Sequence, residues 1–219
     1  MRKIHYKLFI FDFDGTLVDS RINIANSLNY ALSRHGFQKI HAKNIYPLIG
    51  KIPIEETIKS FYPKLDRRTI ESITKDFRIY QKLHAKKEVV FFPHVLRTLK
   101  FLKSKKKQLA ILTTKNAKQT ISLLKVFRIH TLFDVVYGGG MPAGEKPARS
   151  CIEFIWAKIK ETMPFETVLI GDSEVDCIAA QNAQIDMIGV PHGVDPQDVL
   201  KSKGAVYILN TFKELKQFI

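Results

Sequence analysis

A short apolar run that ends in two acids constrains the fold of this 219-residue chain more than any other feature. The run begins at Leu8 and ends at Asp12 and Asp14, which flank Phe13 and precede Gly15. An apolar segment this short, closed by a turn residue, is typical of a buried strand in a parallel sheet. A buried carboxylate is costly unless it is paired, hydrogen-bonded or bound to a metal. Because ligands of open α/β sheets bind beyond the carboxyl ends of the strands, the two acids predict a metal-dependent site.

The hydrophobic pattern changes from strand to helix after residue 17. Apolar residues recur at helical spacing from Ile22 to Leu32, and Gly36 supplies a stop. Further helical stretches are predicted at Ile54–Phe61 and at about 67–86. We therefore expect residues 18–88 to be helical, without a strand, as an insertion after the first strand.

Predicted helices and strands alternate through the rest of the chain. The helices are expected near residues 94–103, 117–127, 148–161 and 174–183. The strands are expected at Gln108–Thr113, Asp134–Tyr137, Thr167–Gly171, Met187–Val190 and Ala205–Ile208. Alternation of this kind implies right-handed βαβ units and a parallel sheet. The predicted fold class is α/β, with a Rossmann-like core of residues 1–17 and 89–219 and an α-helical cap of residues 18–88.

Charge and composition bound the partners of the chain. The net charge is +14, but lysine and arginine are spread along the sequence, without a recognition module or interleaved aromatic residues. We expect no nucleic-acid partner, and the positive field would instead attract anionic substrates.

Cys151 and Cys177 form no metal or disulfide pattern, and no apolar run approaches the ~20 residues of a membrane span. We expect a cytoplasmic monomer or weak dimer without membrane contact.

Polar side chains follow two further predicted strands and one glycine-rich loop. They are Thr113-Thr114-Lys115-Asn116, Lys146-Pro147 and Gly171-Asp172-Ser173-Glu174-Val175-Asp176. Because parallel strands align their carboxyl ends, these groups should converge on Asp12 and Asp14. The convergence would surround one crevice with acids, hydroxyls and a lysine.

Such a set suits phosphoryl transfer. Asp12 and Asp172 would hold Mg²⁺, which prefers oxygen ligands and is needed because a carboxylate and a phosphate dianion repel each other. Thr113 can donate its hydroxyl to a phosphoryl oxygen, and Lys146 can neutralise charge on the transferred group. Asp12 could attack phosphorus while Asp14 protonates the leaving oxygen and later deprotonates water.

Four ordered segments resemble the motifs of the haloacid dehalogenase-like superfamily. They are Asp12-Phe13-Asp14-Gly15-Thr16, Thr113, Lys146-Pro147 and Gly171-Asp172-Ser173-x-x-Asp176. Their order and spacing match over nearly the whole chain. The helical insertion resembles the cap of the phosphoglycolate phosphatase and β-phosphoglucomutase branch. Within that branch, the run from Phe11 to Ser20 looks most like the phosphoglycolate phosphatase group.

The resemblance implies a role for each acid. Asp12 would be both nucleophile and metal ligand, and Asp14 would be the acid/base with its backbone carbonyl on the metal. Asp172 would be the third protein ligand. Ser173 and Asp176 would lie behind these ligands, although Asp176 can also serve as an additional ligand.

Several alternatives stay open at this point. Thr114 rivals Thr113 as the phosphate contact, and Lys115 rivals Lys146. Lys51 could contact a substrate anion but is more simply an exposed lysine. The function most favoured is a Mg²⁺-dependent phosphatase acting on a small phosphorylated metabolite. A phosphosugar mutase, a pyrophosphatase and a non-enzymatic nucleic-acid binder are the alternatives.

Overall fold

A six-stranded parallel sheet forms the core of the computed structural model, which describes residues 5–159 and 162–219. Six strands form this sheet: β1 Leu8–Phe11, β4 Gln108–Asn116, β5 Val135–Gly139, β6 Thr167–Gly171, β7 Asp186–Gly189 and β8 Tyr207–Ile208. Two further strands, β2 Val18–Asp19 and β3 Val90–Phe91, lie outside it. The order across the sheet is β5-β4-β1-β6-β7-β8, and every pair is parallel. The predicted α/β fold is therefore confirmed.

The described ranges contain nine α-helices, of which the first four belong to the insertion. They are α1 Arg21–Arg34, α2 Ala42–Ile45, α3 Ile54–Phe61, α4 Arg67–Glu88, α5 Val95–Ser104, α6 Ala117–Val126, α7 Arg149–Lys158, α8 Glu174–Ala183 and α9 Gln197–Ser202. Short 3₁₀ turns occur at Tyr46–Leu48, His130–Leu132, Pro164–Glu166 and Phe212–Phe218. The first four residues of the predicted core and the last two of the helix predicted at 148–161 lie outside the described residues. None of the described helices is both long and apolar enough to cross a membrane.

Strand β1 lies at the centre of the sheet and is fully buried. Its side chains alternate between the two faces, because Phe9 and Phe11 join one apolar cluster and Leu8 and Ile10 join the other. Phe11 is in register with residues of both β4 and β6. The residues after these three strands therefore lie side by side, as the sequence predicts.

The helical insertion has an apolar cluster of its own. Its buried members are Ile24, Ala25, Leu28, Ala31, Leu32, Ile40, Ile45, Ile49, Ile58, Ile73 and Phe77. These come from α1 to α4 and from the loops between them. The insertion can therefore bury apolar surface within itself as well as against the sheet.

The expectation that residues 18–88 contain no strand is wrong at Val18–Asp19. These two residues pair antiparallel with Val90–Phe91 and close the base of the insertion as a two-stranded ribbon. A strand of two residues has no periodicity of its own, and its partner lies more than seventy positions away in the sequence. Local pattern could not identify it.

Candidate active site

Three buried acids meet where β1 and β6 end. Oxygens from the side chains of Asp12, Asp172 and Asp176 all lie within 4.8 Å of one another. Each residue is at most 1% exposed. Buried carboxylates this close repel one another unless a cation or protons compensate them.

Lys146 lies among these acids and is itself buried. Its Nζ donates to Asp12 Oδ1 at 3.1 Å and to Asp176 Oδ1 at 2.5 Å. It also lies 3.4 Å from the carbonyl oxygen of Leu112, at the end of the neighbouring strand. Lys146 therefore contacts the acidic cluster, whereas Lys115, the other candidate lysine from the sequence, pairs with Asp14.

Burial and mutual repulsion shift the pKa values in this cluster. Burial raises the pKa of Asp172 to about 7, and the charge of Asp176 adds to the rise. Burial also raises the pKa of Asp12 well above its usual value, although Lys146 opposes this. Burial would lower the pKa of Lys146, but Asp12 and Asp176 outweigh it and raise that pKa. Lys146 therefore stays charged, whereas Asp12 and Asp172 hold their protons to a higher pH than ordinary carboxyl groups do.

Asp176 is held by the first turn of α8. Its Oδ2 accepts hydrogen bonds from the backbone N–H groups of Asp172 and Ser173 at 3.2 and 3.0 Å, and from Ser173 Oγ at 2.7 Å. Ser173 and Asp176 form a capping box, which stabilises the helix start. This geometry fits their predicted position behind the ligands.

The carboxylate of Asp172 is fixed by two different loops. Thr16 Oγ1 donates to Oδ1 at 2.7 Å, and the backbone N–H of Val194 donates to Oδ2 at 2.9 Å. Gly15 and Gly193 lie against the same side chain, since a Cβ on either would meet an Asp172 atom at 2.4 or 1.9 Å. Gly15 also has φ +88°, a conformation that glycine adopts without strain. Sequence reasoning gave Val194 and Gly193 no role.

The carboxylate of Asp14 does not belong to the three-acid cluster and has partners of its own. Ser20 Oγ donates to its Oδ1 at 2.6 Å, and Lys115 Nζ lies 2.8 Å from its Oδ2. The structure therefore groups Asp12 and Asp172 with Asp176 and gives the carboxylate of Asp14 a separate environment. Sequence reasoning missed Ser20, although that residue belongs to the run that carries the resemblance.

The two candidate threonines at the end of β4 have different contacts. Thr113 is 2% exposed, and its Oγ1 accepts from the backbone N–H of Lys115 at 3.2 Å. Thr114 Oγ1 donates to the carbonyl oxygen of Gly50 at 3.2 Å, so it contacts the helical insertion. These contacts leave the hydroxyl hydrogen of Thr113 free for a phosphoryl oxygen, whereas that of Thr114 is used.

Lys51 is not the ordinary exposed lysine that the sequence favoured. Its Nζ lies 2.6 Å from Asp195 Oδ1, and its side chain is only 32% exposed. His192 follows β7, and its ring packs against that of Phe92 at an angle of 30° with the centroids 3.7 Å apart. Its Nε2 lies 3.3 Å from the carbonyl oxygen of Thr16, and burial lowers its pKa.

A cavity between the helical insertion and the sheet opens beside Asp14. On the side of the insertion its lining is mostly apolar and includes Leu48, Ile49 and Phe77, although Glu55 and Thr57 also border it. On the side of the sheet it is polar and includes Thr114, Lys115, Asn116 and Gln119. A small molecule seated there would reach Asp14.

The charges of the site fit a divalent cation. Four buried carboxylates, from Asp12, Asp14, Asp172 and Asp176, face the two ammonium groups of Lys115 and Lys146. When all are ionised, two negative charges remain uncompensated. Oxygen-only ligands of this kind suit hard divalent cations.

Two relatives are similar to this chain in sequence over almost its whole length. A phosphoglycolate phosphatase of Colwellia psychrerythraea is 29% identical over 216 residues, which cover 95% of each chain. A pyrophosphatase, PpaX, of Bacillus mycoides is 25% identical over 211 residues, which cover 94% of this chain and 93% of the relative.

Two solved structures have a similar fold over almost the whole chain. A predicted phosphoglycolate phosphatase from Haemophilus somnus has a TM-score of 0.85 at 25% identity and covers 97% of each chain. A haloacid dehalogenase-like family hydrolase from Streptococcus pneumoniae has a TM-score of 0.80 at 29% identity and covers 100% of this chain and 99% of its own. The model of the family described as Haloacid dehalogenase-like hydrolase matches residues 9–190. With its fold, its buried acids and this match over most of its length, the chain belongs to the haloacid dehalogenase-like hydrolase family.

Proposed function

We propose that this chain is a Mg²⁺-dependent phosphatase that hydrolyses a small phosphorylated metabolite through an aspartyl-phosphate on Asp12. Its activity would be most like that of phosphoglycolate phosphatase. The observation that carries the proposal is the buried cluster of Asp12, Asp172 and Asp176 with Lys146 inside it. A cluster of this charge suits a divalent cation and a phosphate dianion together.

Asp12 is the proposed nucleophile. Lys146 binds one of its oxygens and leaves the other for attack on phosphorus. In the first step an oxygen–phosphorus bond forms to Asp12 and the bond from phosphorus to the leaving oxygen breaks. In the second step water attacks the same phosphorus, inorganic phosphate leaves and the Asp12 carboxylate is restored.

Asp14 is the proposed acid and base. Its carboxylate lies outside the metal cluster, is held by Ser20 and Lys115, and borders the cavity that would receive the leaving group. Asp14 would give a proton to the leaving oxygen and take one from the attacking water. Its position therefore supports separate roles for two acids that are only two residues apart, with Asp12 as nucleophile and Asp14 as acid and base.

Thr113 and Lys146 are the proposed direct phosphate contacts, and Thr114, the other candidate from the sequence, is proposed to act indirectly. The hydroxyl hydrogen of Thr113 and the ammonium of Lys146 would bind phosphoryl oxygens, whereas Thr114 would act through its bond to Gly50. The proposed metal ligands are Asp12, the backbone carbonyl of Asp14, and Asp172, with Ser173 and Asp176 behind them. Mg²⁺, when bound, supplies the positive charge that lets an anionic nucleophile approach a phosphate dianion.

Residues 18–88 are proposed as a cap domain on a core of residues 1–17 and 89–219. The apolar cluster of the insertion and the ribbon of Val18–Asp19 with Val90–Phe91 support this division. The cap would admit the substrate by opening and would exclude water when closed.

The protein is proposed to work in the cytoplasm as a monomer or weak dimer. Both cysteines, Cys151 and Cys177, are buried free thiols, which suits a reducing compartment. Cell fractionation tests the location, and sedimentation of the purified protein tests the oligomeric state.

A panel of phosphorylated metabolites tests the proposed function. Phosphate release from phosphoglycolate, sugar phosphates, nucleoside monophosphates and pyrophosphate is measured with Mg²⁺ present. We expect a small phosphomonoester to give the highest kcat/KM. Pyrophosphate as the best substrate would favour the second candidate activity, which the PpaX relatives suggest. A chain that releases phosphate from none of these compounds would contradict both.

Lys146→Met should lower kcat by about 10²- to 10³-fold, as expected for a donor that stabilises the transferring group. The variant keeps most of the length of the side chain but removes the only ammonium that contacts Asp12 within the described ranges. Steady-state kinetics and circular dichroism are measured together, because leaving buried acids unpaired also destabilises the fold. Lys118→Met, at an exposed position on α6, is the control and should behave as wild type. A folded Lys146→Met variant with normal kcat would remove this lysine from the mechanism.

A further inference from the structure

The turn of Gly50 and Lys51 connects the helical insertion to the core at two points. The carbonyl oxygen of Gly50 accepts a hydrogen bond from Thr114 Oγ1 at 3.2 Å. Lys51 Nζ lies 2.6 Å from Asp195 Oδ1. Gly50 also lies close to the backbone of Asp14, since a Cβ there would come within 3.4 Å of the Asp14 carbonyl oxygen. The turn thus spans the site from the end of β4 to the loop after β7.

Asp195 links Lys51 to the loop that holds Asp172. Its Oδ2 accepts from the backbone N–H of Glu174 at 2.7 Å, at the start of α8. Its own backbone N–H donates to the carbonyl oxygen of Asp172 at 3.1 Å. The neighbouring Val194 binds the Asp172 carboxylate. The position of the insertion and the position of this acid are therefore connected through one aspartate.

The pair between Lys51 and Asp195 is partly withdrawn from solvent. The two side chains are 32% and 11% exposed, so water screens their attraction less than that of a surface pair. Within residues 5–159 and 162–219, it is the one ion pair that joins the helical insertion, through its turn at Gly50 and Lys51, to the core. Its loss would remove a specific electrostatic contact between the two parts.

We propose that Lys51 is a positioning residue whose ion pair with Asp195 holds the cap closed over Asp14. The proposal rests on the proposed function, because closure matters only if a substrate is enclosed there. The cavity beside Asp14 is bounded by both parts, so a movement of one against the other would change how far the cavity is open to a substrate. The ribbon of Val18–Asp19 and Val90–Phe91 is the short connection about which they would move.

A double-mutant cycle separates this role from direct contact with the substrate. The variants are Lys51→Met, Asp195→Asn and the two combined, with Lys51→Arg as the conservative replacement. Asparagine at position 195 keeps an oxygen for the N–H of Glu174, so the start of α8 is preserved. Since a smaller closed population weakens apparent binding in proportion, each single variant should raise KM by about 3- to 10-fold, with a smaller change in kcat.

The combined variant is expected to be no worse than either single variant, because both remove the same contact. Lys51→Arg should restore most of the loss. Raising the salt concentration should raise the wild-type KM by a larger factor than the KM of Lys51→Met, because only the wild type has this ion pair to be screened. Lys43→Met, at an exposed position on α2, is the matched control and should match wild type.

Hydrogen exchange supplies a readout that does not depend on turnover. In Lys51→Met, the amides of the ribbon and of residues 48–52 should exchange faster than in wild type, whereas those of β1 should not. Additive losses in the cycle would instead assign Lys51 to the substrate, and unchanged KM and exchange would remove the ion pair from closure. Either result overturns the proposal. If wild type hydrolyses nothing in the panel, the proposed function fails, and accelerated exchange would still demonstrate the closing contact.

Discussion

Asp12→Asn is expected to lower kcat by about 10⁴-fold or more, since replacing the proposed nucleophile removes a step that no neighbour can perform. An amide is a far weaker nucleophile than a carboxylate and ligates a hard cation less well. Asp14 cannot substitute, because its carboxylate is held by Ser20 and Lys115 and lies outside the three-acid cluster. Steady-state phosphate release with the best substrate of the panel measures the effect.

The fold of Asp12→Asn should remain intact. Asparagine has nearly the same shape, and the change removes one negative charge from a cluster in which carboxylates outnumber lysines. Acid-quenched wild type incubated with a radiolabelled substrate should carry a labelled phosphoryl group, and the variant should carry none. Asp198→Asn, at an exposed position on α9, is the control and should keep both activity and label. Substantial turnover by folded Asp12→Asn would refute covalent catalysis through this residue.

The parts of the site that sequence could predict depend on local pattern. The strand of Leu8–Phe11 is apolar throughout and ends at Asp12, so its burial and its terminal acid are visible without a structure. The strand Thr167–Gly171 has an apolar centre, Val168 to Ile170, and is likewise followed by an acid, Asp172. Since parallel strands align their ends, the meeting of these acids followed from the order of the elements.

The contacts that sequence could not predict join distant positions. Lys51 and Asp195 are 144 positions apart, and neither lies in a segment with a distinctive pattern. Whether two surface loops meet depends on how the insertion packs on the sheet, which no local periodicity encodes. The hydrogen bond from the backbone N–H of Val194 to the Asp172 carboxylate is equally hard to predict, because any residue except proline can supply a backbone donor.

Removing divalent cations with a chelator is expected to abolish phosphate release, and adding Mg²⁺ should restore it. The two uncompensated charges of the site require a cation before a phosphate dianion can approach Asp12. Ca²⁺ should inhibit rather than replace Mg²⁺, because it accepts more oxygen ligands in looser geometry and can draw both oxygens of Asp12 into coordination. Phosphate release is measured over a titration of each cation after dialysis. Full activity in excess chelator would contradict a metal-dependent mechanism.

Binding of Mg²⁺ should also stabilise the protein in a manner that depends on pH. Because the pKa of Asp172 is raised to about 7 and that of Asp12 is also raised, the metal-free folded protein holds protons that the unfolded chain has lost. Its stability from these groups therefore falls as pH rises from about 4 toward 7. Metal binding needs the carboxylates free of protons, so it strengthens over the same range.

The rise in Tm caused by Mg²⁺ should accordingly be larger at about pH 7.5 than at about pH 5.5. At a Mg²⁺ concentration 100 times its Kd the gain is about 2.7 kcal/mol, which for a chain of this size corresponds to roughly 5–10 °C. Differential scanning fluorimetry of wild type and Asp172→Asn measures it. Asp172→Asn should lose most of the shift at the higher pH, since it removes one proposed ligand and one negative charge. A shift equal at both pH values, or kept in the variant, would place the cation away from this cluster.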